Sequence, residues 1–227
     1  MHDSFVRLEQ EILDIQFSLR YFFVRNFIGK GIDGYLTNDR VLITKQAAKQ
    51  LKTIQMEVSK DGYNIAVYDA YRPVKAVQHF IRWRHDKSIE NKAIFYPNLS
   101  KEEIFTGGFI GERSFHSKGS TIDLTLIKKG EKLLDEPRLS FRTLKSGRTI
   151  PFYDDNSVDM GSSFDLCDSV SYGESDEVSE EQYKLRKYLR DVMIKHGFVP
   201  IKEEWWHFTL RNEPFPDTYF DFDIKKT

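Results

Sequence analysis

The apolar residues of this chain change period abruptly several times, and those changes limit the folds open to it more than any other feature. From about Lys45 to Lys60 they recur every three or four residues, with Ala47, Ala48, Leu51, Ile54 and Val58 on one helical face and Asp61-Gly62 as the stop. Tyr63 to Tyr68 (YNIAVY) follows at once as a β-branched and aromatic strand. It runs into Asp69-Ala70-Tyr71-Arg72-Pro73, where the proline suits the first position of a helix that buries Val77, Phe80 and Ile81. Thr121 to Leu126 (TIDLTL) alternates with period two, sending Ile122, Leu124 and Leu126 to one face and Thr121, Asp123 and Thr125 to the other. A second long helix is expected from about Glu180 to His196, with Leu185, Leu189, Val192 and Met193 inside and Gly197 just past its end. Phe198 to Ile201 and Trp205 to Leu210 read as closing strands. Helices and strands interspersed without a βαβ rhythm predict an α+β fold: one domain over residues 1–227, with a central, mostly antiparallel sheet flanked by helices.

Between Ile127 and Val158 the pattern lapses into a polar stretch with turn signals at Lys129-Gly130, Ser146-Gly147 and Asp155-Asn156. It reads as a hairpin-like insertion, a surface decoration unless it reaches over a cleft. Lys and Arg number 34 against 35 Asp and Glu, a net charge of −1, so no field favours nucleic acid or an anionic membrane surface as partner. The most apolar early stretch, Ile15 to Ile28, is broken by Arg20 and Arg25 and is no membrane span. Met1 is followed by His2, Asp3 and Ser4 rather than a basic and then apolar leader, which points to the cytoplasm, or to the periplasm if a leader has been removed. No heptad or apolar stripe indicates an oligomeric state.

The only cysteine, Cys167, excludes intramolecular disulfides and thiolate clusters, so a metal would have to be held by carboxylates and the six histidines. A catalytic zinc needs three protein ligands and one open position, and a separate carboxylate to move the proton of the attacking water. His116, Asp123 and His207 supply the first set, and Glu204, three residues before His207, is the candidate for the second role. Each has an ordinary reading: a lone histidine is usually hydrogen-bonded or on the surface, Asp123 suits an edge strand, and Trp205 and Trp206 suit the core. The combination is what points to a site. Asp123 lies seven residues after His116 across a glycine-containing turn, a spacing that lets both reach one ion.

These four residues together resemble the zinc D,D-peptidases with SxHxxGxAxD and ExxWH signatures, and within them the VanX-type D-alanyl-D-alanine dipeptidases. Further matches are DxYRP at Asp69 to Pro73, SxHSKGSxIDLTL at Ser114 to Leu126, MGSxFD at Met160 to Asp165, EWWH at Glu204 to His207 and YFDF at Tyr219 to Phe222. Tyr21, Asn26-Phe27, Gly29-Lys30 and Asp33-Gly34-Tyr35 also fit, so the resemblance runs from about Tyr21 to Phe222. It implies one zinc per chain on His116, Asp123 and His207, Glu204 as general base and then acid, and Arg72 as the partner of the developing oxyanion. It further implies Asp165 as the partner of the dipeptide ammonium, and Ser114 and Tyr21 as contacts for its other polar groups.

The implied substrate is the small dipeptide D-Ala-D-Ala, held by both termini in a closed pocket that aromatic residues around EWWH would wall. Such an activity serves either glycopeptide resistance or recovery of D-alanine from the cell wall. The competing readings are a zinc D,D-carboxypeptidase or endopeptidase acting on cell-wall peptides, which needs a more open cleft, and a non-catalytic zinc- or cell-wall-binding module, which would have no use for Glu204 or Arg72. The chain departs from the family pattern in the polar stretch before MGSxFD and, mildly, in Thr121 where the wider signature has alanine.

Overall fold

A computed structural model describes residues 2–226. In chain order the elements are β1 (Phe5–Arg7), α1 (Leu8–Glu11), β2 (Gln16–Phe17), β3 (Leu42–Thr44), α2 (Lys45–Val58), β4 (Tyr63–Asp69), α3 (Val74–Arg84), α4 (Lys92–Phe95) and α5 (Lys101–Thr106). They continue with β5 (Thr121–Lys128), β6 (Arg138–Thr143), β7 (Thr149–Asp154), α6 (Glu180–Lys195), β8 (Phe198–Pro200) and β9 (His207–Leu210). The central sheet has the order β2-β4-β5-β9-β8; β2 runs parallel to β4 and every other pair is antiparallel. The α+β class with a mostly antiparallel sheet is thus what the pattern led one to expect.

The helices start and stop for local reasons. Thr44 accepts a hydrogen bond from the Ala47 N–H at the head of α2, satisfying one of the free donors that every helix start leaves. At its end a 3₁₀ turn, Ser59–Asp61, leads into Gly62 at φ 88°, a left-handed position that a side chain would strain. Ser179 and Gln182 form a reciprocal cap on α6. Two expectations shift at α3: Pro73 is the cap rather than the first helical residue, and the buried set is Ala76, Val77, Phe80 and Trp83. Ile81 lies a quarter-turn off the 76/80/83 stripe and is only half-buried.

Three further readings are corrected by packing. In β5 polarity alternates but exposure does not: Thr121, Asp123 and Thr125 are as buried as Ile122, Leu124 and Leu126. The strand is third of five, and its polar face is covered by neighbouring elements, the Thr121 hydroxyl meeting that of Thr209 at 2.9 Å. In α6 Leu185 is half-buried while Arg186 is 2% exposed. Its guanidinium donates to the carbonyls of Met160 (2.5 Å), Val170 (2.9 Å) and Tyr172 (2.7 Å) and to Ser162 Oγ (3.3 Å), knitting the loop after β7 to the helix.

The polar stretch is the third. Ile127 and Lys128 still belong to β5, and β6 and β7 pair from Arg138 opposite Asp154 to Thr143 opposite Thr149, so a hairpin is present. It is docked rather than decorative. Ile150 and Leu144 close a small separate core with Leu166, Val170 and Val178. Arg148 bridges Asp168 and Glu177, and Asp155 takes the buried Arg20 at 2.7 Å. Two of its charges, Arg148 and Asp155, thus meet partners remote in the chain rather than solvent alone.

Candidate metal centre and its cleft

β4, β5 and β9 place three functional side chains abreast. Asp69 at the end of β4 stands opposite Asp123, and Asp123 opposite His207, the first residue of β9. His116 arrives from the other direction in a 3₁₀ turn, Phe115–Lys118, which Ser114 caps by accepting from the His116 N–H. Gly119 ends that turn at φ 96°, and a Cβ there would lie 2.3 Å from Phe5 Cζ, so the close approach of β1 requires glycine.

His116, Asp123 and His207 are each at least 92% buried and offer ligand atoms that all lie within 4.8 Å of one another. His116 Nε2 is 3.2 Å from Asp123 Oδ2 and 3.3 Å from His207 Nδ1, and His207 Nδ1 is 3.1 Å from Asp123 Oδ1. Donors held at about 2.0–2.1 Å by one tetrahedral ion stand about 3.3 Å apart, so the trio matches a zinc-sized cation. The partners fit as well. His116 Nδ1 meets the Ala70 carbonyl at 2.6 Å, which directs Nε2 into the cluster. Asp123 Oδ1 is buried and makes no well-formed hydrogen bond, although His207 Nδ1 stands 3.1 Å away, and a cation would take up that capacity. Burial opposes ionisation of Asp123, yet the two histidines outweigh it and hold the carboxyl well below the usual range; burial also lowers His207, favouring the neutral imidazole that binds metal.

Around this trio stand the other five residues. Arg72, at the turn between β4 and α3, donates from Nε to Asp69 (2.9 Å), from Nη2 to Asp123 (3.4 Å) and from Nη1 to Ser114 Oγ (3.5 Å), while its guanidinium lies 4.9 Å from the Tyr21 ring centre. Asp69 is fully buried and also accepts from Tyr35 Oη at 2.7 Å. Glu204 is 3.5 Å from His207 Nδ1; burial first, then the charges of Asp123 and Asp165, raise its carboxyl well above normal. Asp165 sits at φ 62° and accepts from Tyr21 Oη at 3.2 Å, and its second oxygen is buried without a partner. Burial and the charge of Asp123 push its carboxyl up to about 8.

All eight residues singled out in the sequence line one cavity of about 250 Å3. Its apolar wall is Phe27, Val77, Phe80, Phe109, Ile110 and Phe115. The expectation that aromatics at EWWH wall the pocket is therefore wrong: Trp205 and Trp206 are 5% and 1% exposed and belong to the core, where Trp205 Nε1 donates to Ser162 Oγ at 3.0 Å. No residue of β6 or β7 lines the cavity, so the hairpin does not reach over it. Sequence reasoning gave no role to Tyr35 and Asp69, which brace Arg72, although both lie in quoted motifs; only the fold shows that the motifs touch.

Comparison with known proteins adds a family. A family model described as D-Ala-D-Ala dipeptidase matches residues 1–136 and 148–225, leaving out all of β6 and the turn after it. The chain is 34% identical over 225 residues to a D-alanyl-D-alanine dipeptidase of Enterococcus faecalis, an alignment covering 99% of this chain and 100% of the relative. A Streptomyces coelicolor protein of the same description is 34% identical over the same length and coverage, and one of Enterococcus faecium 32% over 226 residues. A solved structure, a variant of the vancomycin-resistance D,D-pentapeptidase VanY in complex with Zn(II), aligns with 81% of this chain and 80% of its own at 13% identity and a TM-score of 0.40.

Proposed function

The chain belongs to the D-Ala-D-Ala dipeptidase family of peptidases, and from that premise we propose that it hydrolyses D-alanyl-D-alanine to two molecules of D-alanine, with one zinc ion on His116, Asp123 and His207. The observation that carries the proposal is the convergence of a zinc-matched ligand trio, a separate buried carboxylate and an arginine on one small cavity. Bound there, zinc supplies Lewis-acid polarisation of a carbonyl and acidifies water.

This chain's own residues do the rest. Glu204 stands beside the trio without belonging to it, and its raised carboxyl is suited to accept the proton of the attacking water and pass it to the departing amine. Arg72 stays charged and presents fixed donors to the oxygen on which charge develops. It can do so because Asp69 and Tyr35 hold its guanidinium in place. The vacant oxygen of Asp165 receives the substrate ammonium, with Tyr21 fixing the carboxylate and Ser114 supplying a hydroxyl nearby. Pockets for drug-sized ligands span about 300–1,000 Å3; one of about 250 Å3 suits a dipeptide better than a peptidoglycan strand, which weighs against the carboxypeptidase and endopeptidase readings.

The test is a substrate panel with zinc-loaded protein: D-Ala-D-Ala, L-Ala-D-Ala, D-Ala-D-Ser and a cell-wall pentapeptide. Release of D-alanine from the first without cleavage of the pentapeptide is the expected outcome; efficient cleavage of the pentapeptide would transfer the assignment to a carboxypeptidase. Such an activity removes a cell-wall precursor, and a glycopeptide tolerance assay in cells expressing the protein separates a resistance role from D-alanine recovery.

A further inference from the structure

A zwitterionic dipeptide brings two charges into the cavity, and the residues named so far provide for only one of them. Four carboxylates line the space, those of Asp123, Asp165, Glu203 and Glu204, against the guanidiniums of Arg72 and Arg113. An incoming substrate carboxylate is repelled by the first group and must find a cation with donors to spare. Arg72 has few, because its three nitrogens face Asp69, Asp123 and Ser114.

Arg113 is different. It lies one residue before Ser114, lines the same cavity and is exposed. Among the described residues it makes no hydrogen bond or ion pair, and its guanidinium only rests 5.5 Å from the centre of the Tyr219 ring. Lys118, from the same stretch, is turned onto the rings of Phe115 and Tyr219 and is not part of the lining. We propose that Arg113 is the anchor for the free C-terminal carboxylate of the substrate, and that with Asp165 it makes the enzyme select a peptide of two residues with both termini free. The planar guanidinium, with its fork of donors, matches a carboxylate in a way a lysine does not. The arginine also stands at the rim, so a substrate extended beyond that carboxylate would have to pass it.

The inference rests on the dipeptidase reading, and the experiment separates the two. Steady-state kinetics on zinc-loaded wild-type, Arg113→Ala and Arg113→Lys proteins compare D-Ala-D-Ala with its C-terminal amide. Losing a charge-assisted hydrogen bond to a carboxylate should cost about 10- to 100-fold in kcat/KM. The expected result is that loss on the acid in Arg113→Ala, mostly through KM, with the amide almost unaffected and Arg113→Lys intermediate. An acid-to-amide ratio unchanged in Arg113→Ala overturns the anchor while leaving the dipeptidase reading intact. Failure of the dipeptidase reading looks different, since wild-type protein then cuts neither form. Calorimetric titration of the acid and the amide into zinc-loaded Glu204→Gln protein, with and without Arg113→Ala, reads the anchor without turnover; equal affinity for acid and amide in the presence of Arg113 also overturns it.

Discussion

Two arginine–carboxylate clusters hold this molecule together at a distance from each other, and they differ in what they leave unfinished. Around Arg148 every carboxylate oxygen is taken: Asp168 also receives Asn98 and the Val170 N–H, and Glu177 also receives Ser146 and Ser169. Around Arg72 the pairing stays open, because Asp123 and the neighbouring Asp165 each keep one buried oxygen without a well-formed hydrogen bond. A saturated cluster can only be structural. An unsaturated one, buried where water cannot compensate, is paid for in stability and makes sense as a place for a cation and an ammonium. The lesson is that, of these two clusters, only the one beside the cavity keeps spare hydrogen-bonding capacity on its carboxylates.

That contrast can be broken by substitution. His116→Ala should have the largest effect, abolishing stoichiometric zinc and lowering kcat/KM by about 1,000-fold or more, as read by metal analysis and D-alanine release. Asp165→Asn comes next: KM for D-Ala-D-Ala rises by about 10- to 100-fold with kcat less affected. Since burial holds the Asp165 carboxyl above the usual carboxylate range and it must be ionised to pair with an ammonium, the wild-type KM should fall as pH rises through the range in which Asp165 ionises, and the Asn variant should lose that trend. Arg148→Ala should act the other way round, keeping kcat/KM within about twofold. It leaves Asp168, 5% exposed, without its cation, at a cost of about 1–2 kcal/mol and roughly 2–8 °C in Tm, discounted because the Arg148 side chain is itself 37% exposed. Phe141→Ser, at a position 68% exposed on β6, should move stability by less than about 0.5 kcal/mol and activity not at all.

The same contrast explains what was legible in the sequence. The strands β4, β5, β8 and β9 and the long helices were readable from a local period; among the eight residues that line the cavity, His116, Asp123, Glu204 and His207 stood out by residue type and spacing, and Arg72, Asp165, Ser114 and Tyr21 only through the resemblance of short motifs. What stayed hidden depends on pairs remote in the chain. Arg148 meets Asp168 twenty residues on, Arg20 meets Asp155 across 135, and nothing local marks either pairing. β2 is two residues long and parallel to β4, too short to show a period. Arg186 lies on what reads as the polar flank of α6 because its partners are backbone carbonyls, which carry no sequence signal. The tryptophans of EWWH follow their ordinary reading as core residues, although their adjacency to ligands in sequence also suggested a pocket wall.

The central claim is that Glu204 belongs to the chemistry and not to the metal. Zinc content and D-alanine release measured side by side on Glu204→Gln protein test it most directly. The account predicts about one zinc per chain with turnover reduced by about 100- to 10,000-fold; loss of the metal together with activity, or turnover close to wild type, would contradict it.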